Sequence, residues 1–347
     1  MPQQVEELVA LLTLEDRGGG HYRGVHPQTS MQRSFGGQVM AQALSAMYRT
    51  MVDERQCHSL SGYFLRPGST DAPIDYHVTL TRDGRGFSTR RVVAGQGGKD
   101  IFVMSASFKT PEAGLDHQIA PYAPAPPPER CEPLADVLAR ESPTARQHWE
   151  DEWGVLDVRY VDSSRDNPLE ASARMTIWVK TVDELDADPA LHQQVLAYAS
   201  DLTILAVSTV PHRLDFYSPR LQIATINHSM WFHRPIRADG WVLYDQVSPS
   251  ASNGLGFSIG RLYSDGVLGA SCAQEGLIRR LPEADVPARA DWLRSCGVLR
   301  RRPRTWSSPR RGERPGAAAR GRGLRRPRRR RAVWRSRAAR SGAPAPR

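Results

Sequence analysis

The chain has 347 residues, enough for one large core or two ordinary ones, and a formal net charge of +10. The charge is unevenly spread: residues 281–347 hold 21 of the 47 Lys and Arg and 4 of the 37 Asp and Glu, leaving 26 basic against 33 acidic residues before them. A basic, nucleic-acid-binding body is therefore excluded, and only the Arg-rich tail favours nucleic acid. The four cysteines (Cys57, Cys131, Cys272, Cys296) are far apart with no Cys-x-x-Cys, so neither a metal knuckle nor a disulfide framework is indicated.

Val5, Leu8, Leu11 and Leu12 fall at helical spacing and predict a short amphipathic helix from Val5 to Leu14. Glu6, Glu7, Glu15 and Asp16 interrupt any basic-then-apolar leader, and no apolar run is long enough to span a membrane. A soluble cytoplasmic protein is expected. Gly18–Gly24 reads as a loop leading into a strand. The stretch from Phe35 to Met47, rich in Ala and Met after Gly36-Gly37, reads as a helix buried on most sides. Alternating runs then predict strands at Leu60–Leu65, Ile74–Thr81, Thr89–Ala94 and Ile101–Phe108.

Tyr122-Ala-Pro-Ala-Pro-Pro-Pro128 has the composition of a stiff linker, and the polar segment to about Arg165 reads as surface covering. A strand at Met175–Lys180 opens a second unit. Its buried helix runs from Pro189 to Thr203, with Asp186 or Asp188 available as a cap. Strands follow at Leu221–Phe232, Trp241–Ser248, Gly256–Tyr263 and Val267–Leu277. Residues 282–347 lack Lys, Ile, Phe, Tyr, Met, Asn and Gln, and offer too little apolar surface to offset chain ordering; a disordered tail is expected there. An RNA- or membrane-binding arm is one reading of this segment; the favoured one is that such a composition arises when GC-rich DNA is translated out of frame, because the second unit is already complete at Leu281.

The second unit repeats the first. His58-Ser and Phe64-x-Arg-Pro67 return as His228-Ser and Phe232-x-Arg-Pro235; Gly86-Phe-Ser88 returns as Gly256-Phe-Ser258. Ile101–Ala106 answers Val267–Cys272, and Gln38–Ala43 answers Gln194–Ala199, at offsets drifting between 156 and 170. Four matches in one order indicate an internal duplication. The copies differ at polar positions: Asp201 stands where the first has Ser45, Gln274 where it has Phe108, and Thr225 where it has Arg55.

Singly, each difference has an ordinary explanation: a helix-end carboxylate, a strand threonine, a solvent-facing amide. Together they make a carboxylate, a hydroxyl and an amide that suit the holding of one water. An Asp on an otherwise apolar helix is costly to bury without partners. His58 is a rival base, but His228 occupies the same place in the second copy, and doubly present residues more often serve the fold. Trp231, Phe232 and Phe64 suit an acyl channel, and Gly36-Gly37 a close backbone approach; core packing is the commoner use of both.

Phe35-Gly-Gly-Gln-Val, Tyr63-Phe-Leu-Arg-Pro-Gly68, Tyr198-Ala-Ser-Asp-Leu202, Ala224-Thr-Ile-Asn-His-Ser-Met-Trp-Phe-His-Arg-Pro235 and Gln274-Glu-Gly276 closely resemble bacterial acyl-CoA thioesterase II, the TesB-like family, and its peroxisomal relatives. The resemblance runs from about Val5 to Arg279. It implies an α+β double hot-dog: two tandem units, each an antiparallel sheet wrapped around a buried helix. The units fall at 1–115 and 171–281, joined by a linker and covering segment at 116–170. It also implies hydrolysis of fatty acyl-CoA by a water that an Asp, a Thr and a Gln activate, roles that fall on Asp201, Thr225 and Gln274. The family often has Asp where this chain has Asn227, a mild exchange.

Neither cofactor nor metal is implied; the partners implied are acyl-CoA and further copies of the chain. No Gly-x-Ser-x-Gly elbow or Cys–His pairing is visible, so no covalent intermediate is expected. The alternative is a non-catalytic acyl-CoA sensor on the same fold, which needs an apolar channel but not the three polar groups. A hydratase ranks lower, because Asp201 has no sequence-near His.

Overall fold

The structure is a computed structural model and describes residues 1–141, 143–166, 172–213 and 220–282. Of the tail expected at 282–347, all but residue 282 lies outside the described residues. Helix α1 (Val5–Leu12) buries Val5, Leu8, Leu11 and Leu12 along one stripe. Strands β1 (Glu15–Gly18) and β2 (His21–Gly24) form a hairpin whose turn uses Gly18, Gly19 and Gly20, all at positive φ. Helix α2 (Gly36–Tyr48) buries every residue from Gly37 to Met47, as its Ala- and Met-rich sequence requires. Strands β3 (Gln56–Phe64), β4 (Ile74–Asp83), β5 (Phe87–Gln96) and β6 (Lys99–Lys109) follow.

The connecting segment holds more structure than its composition suggests: β7 (Glu132–Pro133), α3 (Leu134–Glu141), α4 (Pro143–Trp153) and β8 (Leu156–Ser163). Helix α4 is polar except for Trp149 and Trp153, which lie four residues apart on one face and are both buried. The Trp153 ring meets Phe35 edge-on with centroids 4.7 Å apart. Truncation of a buried indole typically costs about 3–5 kcal/mol; Trp153→Ala is expected to lose stability of that order, checked by urea unfolding.

Strand β9 (Arg174–Thr181) leads to helix α5 (Pro189–Ser200), where Pro189 sits in the first turn and the Asp188 carboxylate accepts from the Ala190 amide at 2.9 Å. The helix stops at Ser200 rather than Thr203, and a 3-10 helix spans Ile204–His212. Strands β10 (Leu221–Phe232), β11 (Val242–Ser252), β12 (Leu255–Ser264) and β13 (Val267–Arg280) complete the described chain.

The thirteen strands among the described residues form one sheet, in the order β1-β2-β4-β5-β6-β3-β10-β13-β12-β11-β9-β8-β7. Read outward from its centre, β3-β6-β5-β4-β2-β1 on one side matches β10-β13-β12-β11-β9-β8 on the other. The halves join where β3 and β10 pair antiparallel, with Leu60 opposite Met230 and Ser61 opposite Ser229. Leu60 and Met230 are repeat mates at an offset of 170, so a local two-fold axis passes between them. The duplication is thus visible in the register, and the fold is a double hot-dog. Helices α2 and α5 lie within the sheet's curve, the start of α2 beside the end of α5: Gly37 abuts the Tyr198 carbonyl. Among the described residues no helix is long and apolar enough to cross a membrane.

Candidate active site

Three residues separated in sequence meet where α5 ends. Asp201 is the C-cap of α5, and its carboxylate lies at the negative pole of that helix, an unfavourable place for an anion. The opposing N-terminus of α2 offsets this. Phe35 supplies no side-chain cap there, and the Gly37 backbone amide favours the ionised form of the Asp201 carboxyl. Thr225 on β10 donates its hydroxyl to Asp201 Oδ1 at 3.2 Å, and Gln274 on β13 donates from Nε2 to Thr225 Oγ1 at 3.0 Å. All three sequence-derived candidates are therefore brought together. Burial raises the Asp201 carboxyl to about 7, against the lowering effect of the Thr225, Gln274 and Gly37 donors. Asp201 is partly exposed as a residue, while its carboxylate is desolvated.

The network continues behind Gln274. His228 Nδ1 is 2.5 Å from Gln274 Oε1, and His228 Nε2 is 3.0 Å from Ser200 Oγ. Tyr244 donates to the Ser200 carbonyl at 2.7 Å. Both His228 and Gln274 are fully buried, and burial lowers the imidazole to about 4, so the ring is neutral. His228, Ser200 and the glycines were not assigned to the site from sequence. The glycines carry a signal of the same kind as Asp201: the second copy has His192 and Gln193 where the first has Gly36 and Gly37. A Cβ on Gly36 would stand 2.5 Å from Asp201 Oδ2 and 3.0 Å from Phe64 Cζ, so the close approach is to the carboxylate.

The corresponding place in the first half is closed. Ser45 gives its hydroxyl to the Leu12 carbonyl at 2.7 Å, and Phe108 is fully buried edge-on to Tyr48 at 5.1 Å. Arg55 donates to the Gly84 carbonyl at 2.9 Å, and Gln193 donates to the Cys57 carbonyl at 2.9 Å. His58, the rival base, is half-buried on β3 with Nε2 2.8 Å from Ser107 Oγ, away from Asp201's partners. Of the aromatics, Phe64 borders Gly36, whereas Trp231 is 43% exposed.

One carboxylate, one hydroxyl and one amide thus meet in one half only of a double hot-dog, a set of groups whose chemistry suits hydrolysis. Comparison with known proteins agrees over most of the chain. The profile of the acyl-CoA thioesterase family matches residues 155–277, and that of the acyl-CoA thioesterase N-terminal domain matches residues 25–109. Human acyl-coenzyme A thioesterase 8 is 36% identical over 292 residues, covering 80% of this chain and 90% of the relative. Acyl-CoA thioesterase 2 of Haemophilus influenzae is 35% identical, with 80% and 99% covered. The crystal structure of acyl-CoA thioesterase II TesB2 from Mycobacterium marinum is 40% identical with a TM-score of 0.67, covering 79% of this chain and 98% of that one. The chain belongs to the acyl-CoA thioesterase family.

Proposed function

We propose that this enzyme hydrolyses fatty acyl-CoA to fatty acid and CoA through one water activated in the C-terminal half. The observation that carries the reading is the meeting of Asp201, Thr225 and Gln274 at 3.2 and 3.0 Å. Water held by Asp201 and Thr225 attacks the thioester carbonyl carbon while its proton passes to Asp201. Charge builds on the carbonyl oxygen, and the first-turn amides of α2 are the donors proposed to receive it, at about 3 kcal/mol per donor. The tetrahedral adduct then collapses, the C–S bond breaks, and the CoA sulfur leaves with the proton returned by Asp201. Gln274 orients the water and holds the Thr225 hydroxyl.

Neither the nearby cysteine nor the nearby serine is suited to a covalent route. Cys272 is buried with its thiol pushed up to about 12, and Ser200 Oγ is engaged with His228 and the Ala197 carbonyl. The test is release of CoA thiol from a panel of acyl-CoA chain lengths by the full chain. Binding without release would overturn the reading. Because Asp201 must be ionised to take a proton, kcat/KM is expected to rise with pH through about 7 and level off above it. His228, neutral well below that range, adds no inflection; a profile flat from pH 5 to 9 would contradict the assignment of Asp201. The reading also takes the enzyme as cytoplasmic and self-associating, the latter checked by sedimentation velocity, where a monomer at all concentrations would remove it.

A further inference from the structure

We infer that His228 is the positioning residue of this site: its Nδ1–H fixes which end of the Gln274 amide faces Thr225 and Asp201. The inference rests on the roles proposed for those three residues. The two ends of a glutamine amide are nearly isosteric but opposite in hydrogen-bonding sense, so a half-turn of Gln274 would present an acceptor where a donor is needed. With Asp201 ionised, the single Thr225 proton goes to Oδ1 at 3.2 Å, and Thr225 Oγ1 can only accept. It therefore needs Nε2 of Gln274, 3.0 Å away. Oε1 then faces the imidazole and requires Nδ1 to carry the proton. A neutral ring protonated at Nδ1 leaves Nε2 as an acceptor; the Ser200 hydroxyl lies 3.0 Å from it and 3.0 Å from the Ala197 carbonyl, and its single proton is shared between the two. Ser200 immediately precedes Asp201, so the residue in contact with the ring is covalently tied to the carboxylate the ring serves.

The backbone builds this alignment. Strand β10 has a bulge between Thr225 and Asn227; the register pairs Thr225 with Gly276 before it and His228 with Gln274 after it. Without the extra residue, Asn227 would oppose Gln274. In the first half the irregularity falls between Cys57 and Ser59, at His58 itself, and the residue equivalent to Gln274 is the apolar Phe108. The same histidine is present twice, but only the copy facing an amide is wired to a carboxylate. A residue kept for the fold alone has no reason to differ in this way between halves.

The test combines kinetics with spectroscopy on the full-length protein. His228→Leu removes the donor and is expected to lower kcat by about 10²-fold. The same change in a Gln274→Ala background is expected to cost nothing further, because His228 acts through that amide. His228→Asn, which can place an amide N–H near the Nδ1 position, is expected to recover turnover to within about tenfold of wild type. In the unmodified protein at pH 8.5, 15N NMR is expected to show His228 protonated at Nδ1. Wild-type turnover in His228→Leu, multiplying losses in the double variant, or a ring protonated at Nε2 would each overturn the inference. Should the Leu variant not fold, the Asn variant and the NMR tautomer still decide. Asp201→Asn, assayed alongside, separates the two claims: full turnover there sinks the proposed base, whereas the tautomer and the His228–Gln274 coupling bear only on His228.

Discussion

Asp201→Asn is expected to lower kcat by about 10²–10⁴-fold, the usual contribution of a positioned general base, and at the same time to make the protein more stable at pH 8. The two effects share one cause. The carboxyl, ordinarily ionising at 3.8, is raised to about 7 by burial, so the folded protein binds its proton more tightly than the unfolded chain does. Stability from this group is fully present below the unfolded value of 3.8 and is lost as pH rises to about 7; above 7 the loss is constant. At 1.36 kcal/mol for each pH unit, the loss is on the order of 4 kcal/mol. Asn is neutral and can still accept from Thr225 and the Gly37 amide, so it avoids that loss. The gain in melting temperature of Asp201→Asn over wild type should therefore grow between pH 4 and pH 7 and then hold. Equal stabilities at pH 8 would mean that the carboxylate is not desolvated.

Gly36→Ala is expected to be damaging although it adds a single methyl group. The added Cβ falls 2.5 Å from Asp201 Oδ2 and 3.0 Å from Phe64 Cζ, so the carboxylate must move away from Thr225. Displacement of a reacting group by about 1 Å can cost roughly 10²-fold in rate. Helix formation does not explain such a loss, because Ala is favoured over Gly within a helix by about 1 kcal/mol. Gly86→Ala is the matched control: nothing lies within 4 Å of its Cβ position, and it should retain wild-type kcat. A Gly36→Ala enzyme with full turnover would show that the Asp201 carboxylate need not occupy the observed position.

The duplication was legible because both copies kept short motifs, and the pairing of Leu60 with Met230 shows the same offset in three dimensions. Asp201, Thr225 and Gln274 were legible as polar breaks in that repeat. Gly36 could have been found the same way, since His192 stands opposite it in the alignment of copies. Helix α4 was not legible, because two tryptophans on an otherwise polar stretch give only a weak apolar stripe. Strand β8 was hidden by the polar segment that leads into it. The link from His228 to Gln274 could not be read at all: it depends on a bulge that shifts the register by one residue, and alternation in β10 does not reveal where the extra residue falls.

The most direct measurement is a crystal structure with an acyl-CoA analogue in which a methylene replaces the thioester sulfur and the ketone is retained. The account requires an ordered water bonded to Asp201 and Thr225, about 3–3.5 Å from the ketone carbon, with the ketone oxygen turned to the amides at the start of α2. An acyl group bound beside Phe108 in the first half, or a ketone carbon beyond reach of any water on Asp201, would contradict it.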